Sequence, residues 1–460
     1  MNQSTTRAGT SVNDAREIFG WIVYDWANSA FYTTVVAALF GDYITRLAQA
    51  AVGENGTVLQ LGPLLVTAKS LAPLTVGVSV FLQVFLLPIL GAYGDYSTLK
   101  KRLMMIFCYG GVAANCLLFF LTVNHHLFGA LIFILANLCY GASIVFYNSF
   151  LPDITTEDQR DRVSSRGFAW GYLGGGILLA LNLVLIFAAE KIGLSTGMAV
   201  RLSLLSAGIW WGAFSVITFK RLKTRPPARQ LPADQSYLTI GFTELAATFR
   251  DLLHLRQTLR YLIGYLFYND GIQTVITVSG VFMGQELFRS RGLDTPPSFL
   301  IGVLLLVQFV AFLGALGFER VARIAGTKKA IIISLIGWCG IVIYAYGFLH
   351  TIPQAWVLAV FIALVLGGSQ ALSRSLFSQM IPKSREAAFF GIYEISERGT
   401  SWLGPIVFGF VVAYTNSYRQ AILSLIGFFV IGTIILLFTD TDRAIHDAGN
   451  LLPKEAAKEH

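Results

Sequence analysis

The sequence predicts an all-α membrane protein whose twelve transmembrane helices form two pseudo-symmetric six-helix bundles. Of its 460 residues, 55% are hydrophobic and only 13% are charged, which is too little polar surface to coat a water-soluble globule. Apolar stretches of about 18 to 25 residues recur along the chain, long enough for a helix to cross a bilayer. The two halves also repeat the same short motifs, as expected of a duplicated bundle.

The apolar stretches place the spans and divide the chain. We expect spans near 20–43, 66–93, 103–123, 127–151, 165–189, 201–220, 258–285, 298–318, 329–349, 354–381, 389–414 and 418–439. The predicted organisation is a cytoplasmic N-terminal segment (1–19), an N-terminal six-helix bundle (20–220), a cytoplasmic linker with an amphipathic helix (221–257), a C-terminal six-helix bundle (258–439) and a cytoplasmic tail (440–460). Six spans therefore lie on each side of one polar connector.

The repeat is clearest where the fourth span leads to the fifth and the tenth leads to the eleventh. Pro152 is followed by a polar turn and then by the glycine run at Gly174, and Pro382 is followed by a polar turn and then by Gly404. The interval from proline to glycine is 22 residues in both cases. Because internal repeats built from long apolar stretches are typical of secondary transporters, the pattern predicts a carrier.

Basic residues indicate which side faces the cytoplasm. They concentrate in the loops that are cytoplasmic if both termini are, including 100–102, 220–229 and 328–329, so the positive-inside rule places the connector in the cytoplasm. The net charge of +8 is explained by a basic face against anionic lipid and requires no nucleic-acid partner. Residues 1–18 are polar and the first apolar stretch is long enough to span the membrane, so we expect no cleavable signal peptide. We expect an integral protein of the bacterial inner (plasma) membrane.

The connector begins with a proline-rich linker, 225–232, and continues into an amphipathic segment. Apolar residues recur there at helical spacing against charged ones: Phe242, Leu245, Ala246, Phe249, Leu252 and Leu253 against Glu244, Arg250 and Asp251. This pattern predicts a helix that lies on the inner leaflet. We expect it to anchor the hinge between the bundles and to carry no chemistry. Residues 10–18 predict a shorter helix of the same kind.

A few polar residues lie inside the predicted spans. A charged side chain at bilayer depth costs at least about 2.5–3.5 kcal/mol, so each one needs a partner or a water-filled cavity. The first span contains Asp25 and Asn28, and the seventh contains Asn269, Asp270 and Gln273. Asp270 lies about 18 Å into its span, close to mid-membrane. We interpret Asp270 and Asp25 either as transport residues that bind substrate or protons, or as members of structural ion pairs.

A second polar cluster, in spans ten and eleven, consists of Gln370, Arg374, Glu394, Glu397 and Arg398. Glu394 precedes Arg398 by four residues, the favourable order for a helical ion pair. Arg374 and Glu397 then either pair with each other across the spans or face the cavity. The cluster is therefore either a salt-bridge network that braces the C-terminal bundle or part of the substrate site, where an unpaired Arg374 would suit a substrate carboxylate.

Five motifs point to a known family. They are 24–31 (YDWANSAF), 146–153 (FYNSFLPD), 171–176 (GYLGGG), 268–274 (YNDGIQT) and 368–374 (GSQALSR), and residues 389–391 and 404–405 continue the match. Together they resemble the autophagy-related vacuolar-effluxer-like branch of the major facilitator superfamily. The resemblance covers both halves of the chain. It implies the twelve-helix major facilitator fold with alternating access, and it suggests amino-acid export.

The turn between spans two and three partly resembles the general facilitator motif. The residues that fit are Gly91, Asp95, Lys100 and Lys101, with Arg102 after them, and those that depart from the motif are Tyr96 and Thr98. By this resemblance Asp95 faces the N-terminus of span eleven near Phe389 and, with the basic residues after it, gates the cytoplasmic side. In the second half Arg323 occupies the aspartate position, so the motif supports a latch only in the first half.

The predicted function is secondary active transport of a small polar solute by alternating access, with exported amino acids as the candidate class and protons as the candidate coupling ion. Asp270, Arg374 and Glu394 favour a polar solute. The alternatives are an exporter of lipid-like or hydrophobic compounds and a non-transporting membrane receptor on a carrier fold. Because the sequence has no catalytic constellation or nucleotide-binding loop, it predicts neither an enzyme nor a bound cofactor or metal. We expect a monomer in the lipid bilayer.

Overall fold

The computed structural model describes residues 12–62, 64–96, 99–225, 237–399 and 403–459, most of which are helical. Ten helices among these residues are long enough and apolar enough to cross a membrane. The predicted seventh span corresponds to the 32-residue helix Arg256–Leu287. The predicted eleventh span corresponds to two shorter helices, Glu386–Glu394 and Leu403–Thr415. The all-α architecture predicted from the apolar stretches is therefore confirmed.

Among its described residues, the N-terminal half contains seven α-helices, one π-helical segment and one hairpin. Their bounds are α1 Ala15–Ala30, a π-helical segment Phe31–Leu39, α2 Phe40–Val52, β1 Thr57–Leu61, β2 Leu64–Thr67, α3 Leu71–Asp95, α4 Lys100–Leu117, α5 His126–Ile154, α6 Arg160–Ala188 and α7 Thr196–Arg221. Short 3₁₀ turns lie between α4 and α5 and between α6 and α7.

The connector and the C-terminal half contain the remaining helices. Their bounds are α8 Tyr237–His254, α9 Arg256–Leu287, α10 Pro297–Ala325, α11 Thr327–Phe348, α12 Ile352–Gln379, α13 Glu386–Glu394, a π-helical segment Ile395–Gly399, α14 Leu403–Thr415, α15 Tyr418–Ser424, α16 Ile426–Phe438, α17 Thr441–Asp447 and α18 Pro453–Glu459. α8 is the amphipathic helix that the spacing of apolar residues predicts in the connector.

Each half has its own hydrophobic core. Buried apolar side chains between Trp21 and Leu222 form one large cluster, and those between Leu252 and Ile445 form another. α1 packs against α6 and α7 in the first half, and α9 packs against α16 in the second. The halves meet where α6 lies against α10 and α12, and where α3 and α5 lie against α13.

One end of the bundle carries the basic loops, and we call it the basic end. The helices α3, α5, α7 and α12 end there, and α4, α6, α9 and α13 begin there. The halves come into backbone contact at this end, because a methyl group at Gly391 on α13 would lie only 2.8 Å from the Cα of Pro88 on α3. A methyl group at Gly94 would lie 2.7 Å from the ring of Phe146. Glycine at these positions lets the helices approach closely.

The first span is longer than its apolar stretch predicts. Helix begins at Ala15 and runs through the π-helical segment to Val52. The side chain of Asp14 caps it by accepting a hydrogen bond from the amide of Arg16, 2.9 Å, and an N-cap rather than the first apolar run sets where a helix starts. The separate short helix predicted over 10–18 is therefore wrong: residues 15–18 belong to α1, and residues 1–11 lie outside the described residues.

A hairpin between the first two spans is absent from the sequence prediction. β1 and β2 pair antiparallel, and Gly62 between them has a φ of +59°, which glycine adopts without strain. Thr57 and Val58 are β-branched and favour extended backbone. The second span consequently begins at Leu71 and not near residue 66.

The eleventh span, predicted near 389–414, begins at Glu386 and is not α-helical throughout its described residues. α13 ends at Glu394, a π-helical segment follows, and α14 begins at Leu403. Residues 400–402, like the linker residues 226–236, lie outside the described part of the chain. Apolar content predicts that a segment crosses the bilayer, but it carries no information on where the backbone departs from α-helix.

Candidate functional site

An arginine of the C-terminal half reaches into the N-terminal half near the basic end. Arg374 on α12 is buried, and its guanidinium forms an ion pair with Asp25 on α1, with Nη2 3.4 Å from Oδ2. It also donates to the hydroxyl and the carbonyl oxygen of Ser164 on α6, each at 3.0 Å, and to Oδ1 of Asn148 on α5 at 3.2 Å. A cation removed from water needs such a set of acceptors. Three helices of one half therefore bind one side chain of the other.

Three aromatic rings of the N-terminal half surround the guanidinium. Its central carbon lies 4.2 Å from the ring centre of Phe168, 4.9 Å from that of Trp21 and 5.5 Å from that of Tyr147. Trp21 and Tyr147 also stack on each other, with ring centres 4.4 Å apart. Cations are attracted to aromatic faces within about 6 Å, and more strongly in a desolvated site. We call Trp21, Asp25, Tyr147 and Phe168 the arginine cage.

The cage closes tightly because α6 has a glycine at position 167. A methyl group at Gly167 would lie 2.6 Å from Oδ2 of Asp25 and 3.0 Å from Nη2 of Arg374. The Asp25 carboxylate also accepts a hydrogen bond from the hydroxyl of Tyr147, 2.7 Å. α6 therefore lies close enough to α1 and α12 for the cage to hold the guanidinium and exclude other groups.

Asn148 connects the cage to the eleventh span. Its side-chain oxygen accepts from Arg374, while its side-chain nitrogen donates to Oε1 of Glu394 at 2.9 Å. Glu394 is fully buried. A cation and a carboxylate of the C-terminal half are thus joined through one amide of the N-terminal half.

Asp270 lies apart from this network, in the middle of α9. It is about 21 Å from the start of α9 at 1.5 Å per residue. Its Oδ2 accepts a hydrogen bond from the amide of Gly404, 2.7 Å, in the first turn of α14, where a carboxylate is favoured by the helix dipole. Asp270 is fully buried, and its Oδ1 has no hydrogen-bond partner among the residues that the structure describes. The ion pair of Arg374 goes to Asp25 and not to Asp270.

The other predicted site residues flank these two groups. Asn28 is buried one turn beyond Asp25, and its side-chain nitrogen has no partner within the described ranges. Gln370, one turn before Arg374, accepts a hydrogen bond from the hydroxyl of Tyr172 across the interface, 2.6 Å. Gln273 is half-buried on α9, and the carbonyl of Glu397 accepts a hydrogen bond from the side chain of Asn269, 3.0 Å. The side chain of Arg398 lies outside the described residues, so its pairing with Glu394 stays a prediction.

The basic end carries the latch geometry that the facilitator motif implies. The two carboxylate oxygens of Asp95 accept hydrogen bonds from the amides of Ala387 and Ala388, 3.0 and 2.8 Å, in the first turn of α13. Lys100 binds within its own half, to Asp153 at 2.8 Å. Lys101 is half-buried and Arg102 is exposed. The carboxylate therefore lies where the resemblance places it, whereas the ion pair of Lys100 is made within its own half. The gating role of Lys100, Lys101 and Arg102 stays a prediction.

Further hydrogen bonds close the interface around the latch. Arg160 donates to the carbonyl of Ser378, 2.9 Å, and the hydroxyl of Ser164 donates to the carbonyl of Ala371, 2.7 Å. Thr327 donates to the carboxylate of Asp161, 2.5 Å. The hydrogen bonds between the halves thus lie toward the basic end.

Sequence reasoning missed the uncharged part of the site. Tyr147, Asn148, Ser164 and Phe168 carry no charge, so the search for costly charges in the spans could not single them out. The motif 146–153 contains two of them, and its Asn148 in an apolar span was the available signal.

Comparison with known proteins assigns the chain to a family. Residues 13–449 match the family described as vacuole effluxer Atg22 like. An uncharacterized MFS-type transporter, YxiO of Bacillus subtilis (strain 168), is 32% identical over 94% of this chain and 97% of its own length. Autophagy-related protein 22 of Yarrowia lipolytica is 25% identical over 81% of this chain and 76% of its own length.

Solved structures share the fold. The human organic anion transporter MFSD10 superposes with a TM-score of 0.64 at 13% identity, covering 92% of this chain and 99% of that one. The E. coli fucose:proton symporter FucP superposes with a TM-score of 0.64 at 13% identity, covering 93% and 98%. The chain is therefore an integral membrane transporter of the major facilitator type and belongs to the vacuole effluxer Atg22-like family.

Proposed function

We propose that this transporter exports amino acids from the cytoplasm by alternating access, coupled to protons. In this proposal it acts as a monomer in a bacterial inner membrane with both termini cytoplasmic. The observation that carries the proposal is the Arg374 guanidinium, which is held between the halves by a carboxylate and three aromatic rings.

The groups at the interface suit a zwitterion. When the halves separate at the basic end, Arg374 and Asp25 lose each other and face the cytoplasm. The carboxylate of an amino acid then replaces Asp25 on Arg374, because arginine binds carboxylates through two parallel hydrogen bonds. Its ammonium group takes the place of Arg374 beside Asp25 or Glu394. Arg374 and Asp25 therefore bind either each other or the amino acid.

This competition links binding to the conformational change. A ligand shifts an equilibrium only by its difference in affinity for the two states. In the empty carrier the Arg374–Asp25 pair stabilises the closed basic end, and a bound amino acid satisfies both charges without that closure. The exchange of partners lets the carrier load from the cytoplasm and release its solute on the other side.

Export is the direction suggested by the names of the relatives, since the family is described as a vacuole effluxer. Proton coupling has Asp270 as its candidate carboxylate, because this buried side chain has one oxygen without a partner in the described part of the chain. A small solute with separated charges also explains why charged side chains lie at the interface, where a lipid-like cargo would gain nothing from them.

Counterflow in proteoliposomes tests the proposal. Vesicles containing the purified protein are loaded with an unlabelled amino-acid mixture, and uptake of each labelled amino acid is measured. We expect at least one to exchange, and Arg374→Lys to weaken its apparent affinity roughly 10- to 100-fold, the loss expected for one charged hydrogen bond. Arg419→Lys is the matched control, because Arg419 pairs with Glu286 inside the C-terminal half.

Two outcomes contradict the proposal. Exchange of hydrophobic compounds and not of amino acids would favour the exporter of lipid-like cargo. Amino-acid binding without any exchange, detected as a rise in thermal stability, would favour a receptor on a carrier fold.

A further inference from the structure

The connector helix α8 buries two polar side chains, Glu244 and Thr248, against the protein. Its buried positions recur every three or four residues and are Gly241, Glu244, Thr248 and Leu252. The amphipathic pattern predicted an anchoring helix without chemistry. In the structure the carboxylate of Glu244 is buried against the bundle, and a buried carboxylate must have partners.

Those partners come from both halves of the transporter. Arg385, which is buried just before α13, forms ion pairs with Glu244 and Asp251 of α8 and donates to the hydroxyl of Thr248 at 2.8 Å. On the other side the hydroxyl of Tyr96, at the end of α3, donates to Glu244 at 2.6 Å. One carboxylate of the connector thus joins a tyrosine of the N-terminal half to an arginine of the C-terminal half.

The two bridged residues are the chain neighbours of the latch. Tyr96 directly follows Asp95, and Arg385 lies two residues before Ala387, whose amide binds Asp95. If α3 and α13 separate, Glu244 cannot keep both partners. The contacts of Glu244 with both halves therefore stabilise only the state in which the basic end is closed.

Beside its buried positions, α8 carries exposed apolar side chains, and its C-terminal end adjoins a basic cleft. Phe249 is 45% exposed and Leu253 is 64% exposed. The cleft, about 540 Å³, lies where α8 meets α9 and α17. Three arginines line it, Arg256, Arg260 and Arg443, together with His254 and with Asp447, whose carboxylate lies 3.7 Å from Arg443. Because α8 lies between the spans α7 and α9 in the chain, we expect this surface near the lipid headgroups.

We propose that α8 is a clasp for the basic end and that its partner is an anionic lipid surface. Phe249 and Leu253 insert below the headgroups, while the arginines of the cleft bind lipid phosphates, the combination by which amphipathic helices associate with anionic membranes. Lipid that holds α8 in place keeps Glu244 between Tyr96 and Arg385 and so favours the closed state. The clasp is independent of the solute that is carried.

Cysteine labelling in nanodiscs tests the clasp. Ser378→Cys, in a cysteine-free background, places a thiol in a buried position whose carbonyl binds Arg160 across the interface, so a maleimide reaches it when the basic end opens. We expect Asp251→Asn and Glu244→Gln each to raise its labelling rate by up to about tenfold, since each removes a charged partner of Arg385. Asp442→Asn is the matched control, because Asp442 is exposed on α17.

Lipid composition tests the partner. With phosphatidylglycerol present, labelling of the otherwise unchanged protein should be slower than in phosphatidylcholine alone. The double variant Arg256→Gln/Arg260→Gln should abolish that difference, and Arg162→Gln, an exposed arginine of the other half, should keep it. Soluble glycerol phosphate should not replace the lipid.

Three results would overturn the proposal. Equal labelling rates in Glu244→Gln, Asp251→Asn and the unsubstituted protein would show that α8 does not hold the basic end closed. Equal labelling rates with phosphatidylglycerol and with phosphatidylcholine alone would show that α8 has no anionic lipid partner. Protection by soluble glycerol phosphate in phosphatidylcholine means that the cleft binds a free phosphate compound instead.

Discussion

At the scale of single residues, the halves are joined by the buried ion pair of Arg374 and Asp25, which lie 349 positions apart in the chain. Removing one member of a buried ion pair leaves the other without compensation, which costs about 3–5 kcal/mol. A carrier can avoid this cost by opening, which exposes the remaining charge to water. A substitution in the pair should therefore change conformation as well as stability.

We predict that Arg374→Gln and Asp25→Asn each lower the thermal stability of the closed protein, and that the double variant loses less than the two single losses together. The coupling free energy should fall in the range of about 0.5–3 kcal/mol found for contacting residues. Thermal unfolding in detergent measures it. The pair Arg419 and Glu286, 2.7 Å apart within one half, is the control, because its loss should lower stability without exposing Ser378→Cys. Strict additivity for Arg374 and Asp25 would argue against the pair.

Asp270 gives a second prediction at this scale. Asparagine can still accept the hydrogen bond from Gly404, but it cannot take up or release a proton. Asp270→Asn should therefore abolish net flux driven by a pH gradient and preserve counterflow between loaded vesicle compartments. Both are measured in the same proteoliposomes. If pH-driven flux persists, Asp270 serves only to cap α14, and Asp270→Ala should then lower stability by about 1 kcal/mol.

At the scale of elements, the contact between the halves that matters most for gating is made by a helix end. α13 begins beside Asp95 with two amides directed at one carboxylate, so the latch exists only while α3 lies against α13. A carboxylate in this position stabilises the helix terminus by about 0.3–1 kcal/mol, and by up to about 2 kcal/mol when partly buried. A free energy of that size shifts the equilibrium between the open and closed basic end but is too small to prevent folding.

We therefore expect Asp95→Asn to raise the population open at the basic end by roughly 2- to 30-fold while leaving folding intact. Maleimide labelling of Ser378→Cys reports the opening, and size-exclusion chromatography reports the fold. Asp442→Asn serves as control, since Asp442 is an exposed carboxylate on α17. An unchanged labelling rate would show that the latch carries no conformational energy.

The elements also show what the sequence could predict. Length and apolar content identify the spans, because the bilayer imposes both. The Asp95 contact follows from a local motif. The arginine cage could not be predicted, because its aromatic members are among 35 Phe, 18 Tyr and 8 Trp residues, and their partnership with Arg374 depends on packing between distant helices. The π-helical segment after α13 could not be predicted for a similar reason: it changes the backbone hydrogen bonding without changing the hydropathy.

At the scale of the whole molecule, the basic loops predict an orientation in which both termini and the linker face the cytoplasm. Thr224→Cys, beside the linker, and Asn124→Cys, beside His125, are both exposed positions. We expect impermeant thiol reagents to label Thr224→Cys from the cytoplasmic side and Asn124→Cys from the opposite side of oriented vesicles. Labelling of both from one side would overturn the twelve-span topology.

The backbone contact between Gly391 and Pro88 has a consequence for energy conservation in the cell. A closed carrier is also a barrier, and a chain of water molecules through it would let protons leak down their gradient. Main chain packed on main chain leaves no room for such a chain. A methyl group added at Gly391 would lie only 2.8 Å from the Cα of Pro88, which is too close for two carbon atoms. Gly391→Ala should wedge this seal apart, and vesicles containing it should lose an imposed pH gradient faster than vesicles with the unsubstituted protein, even when no solute is present.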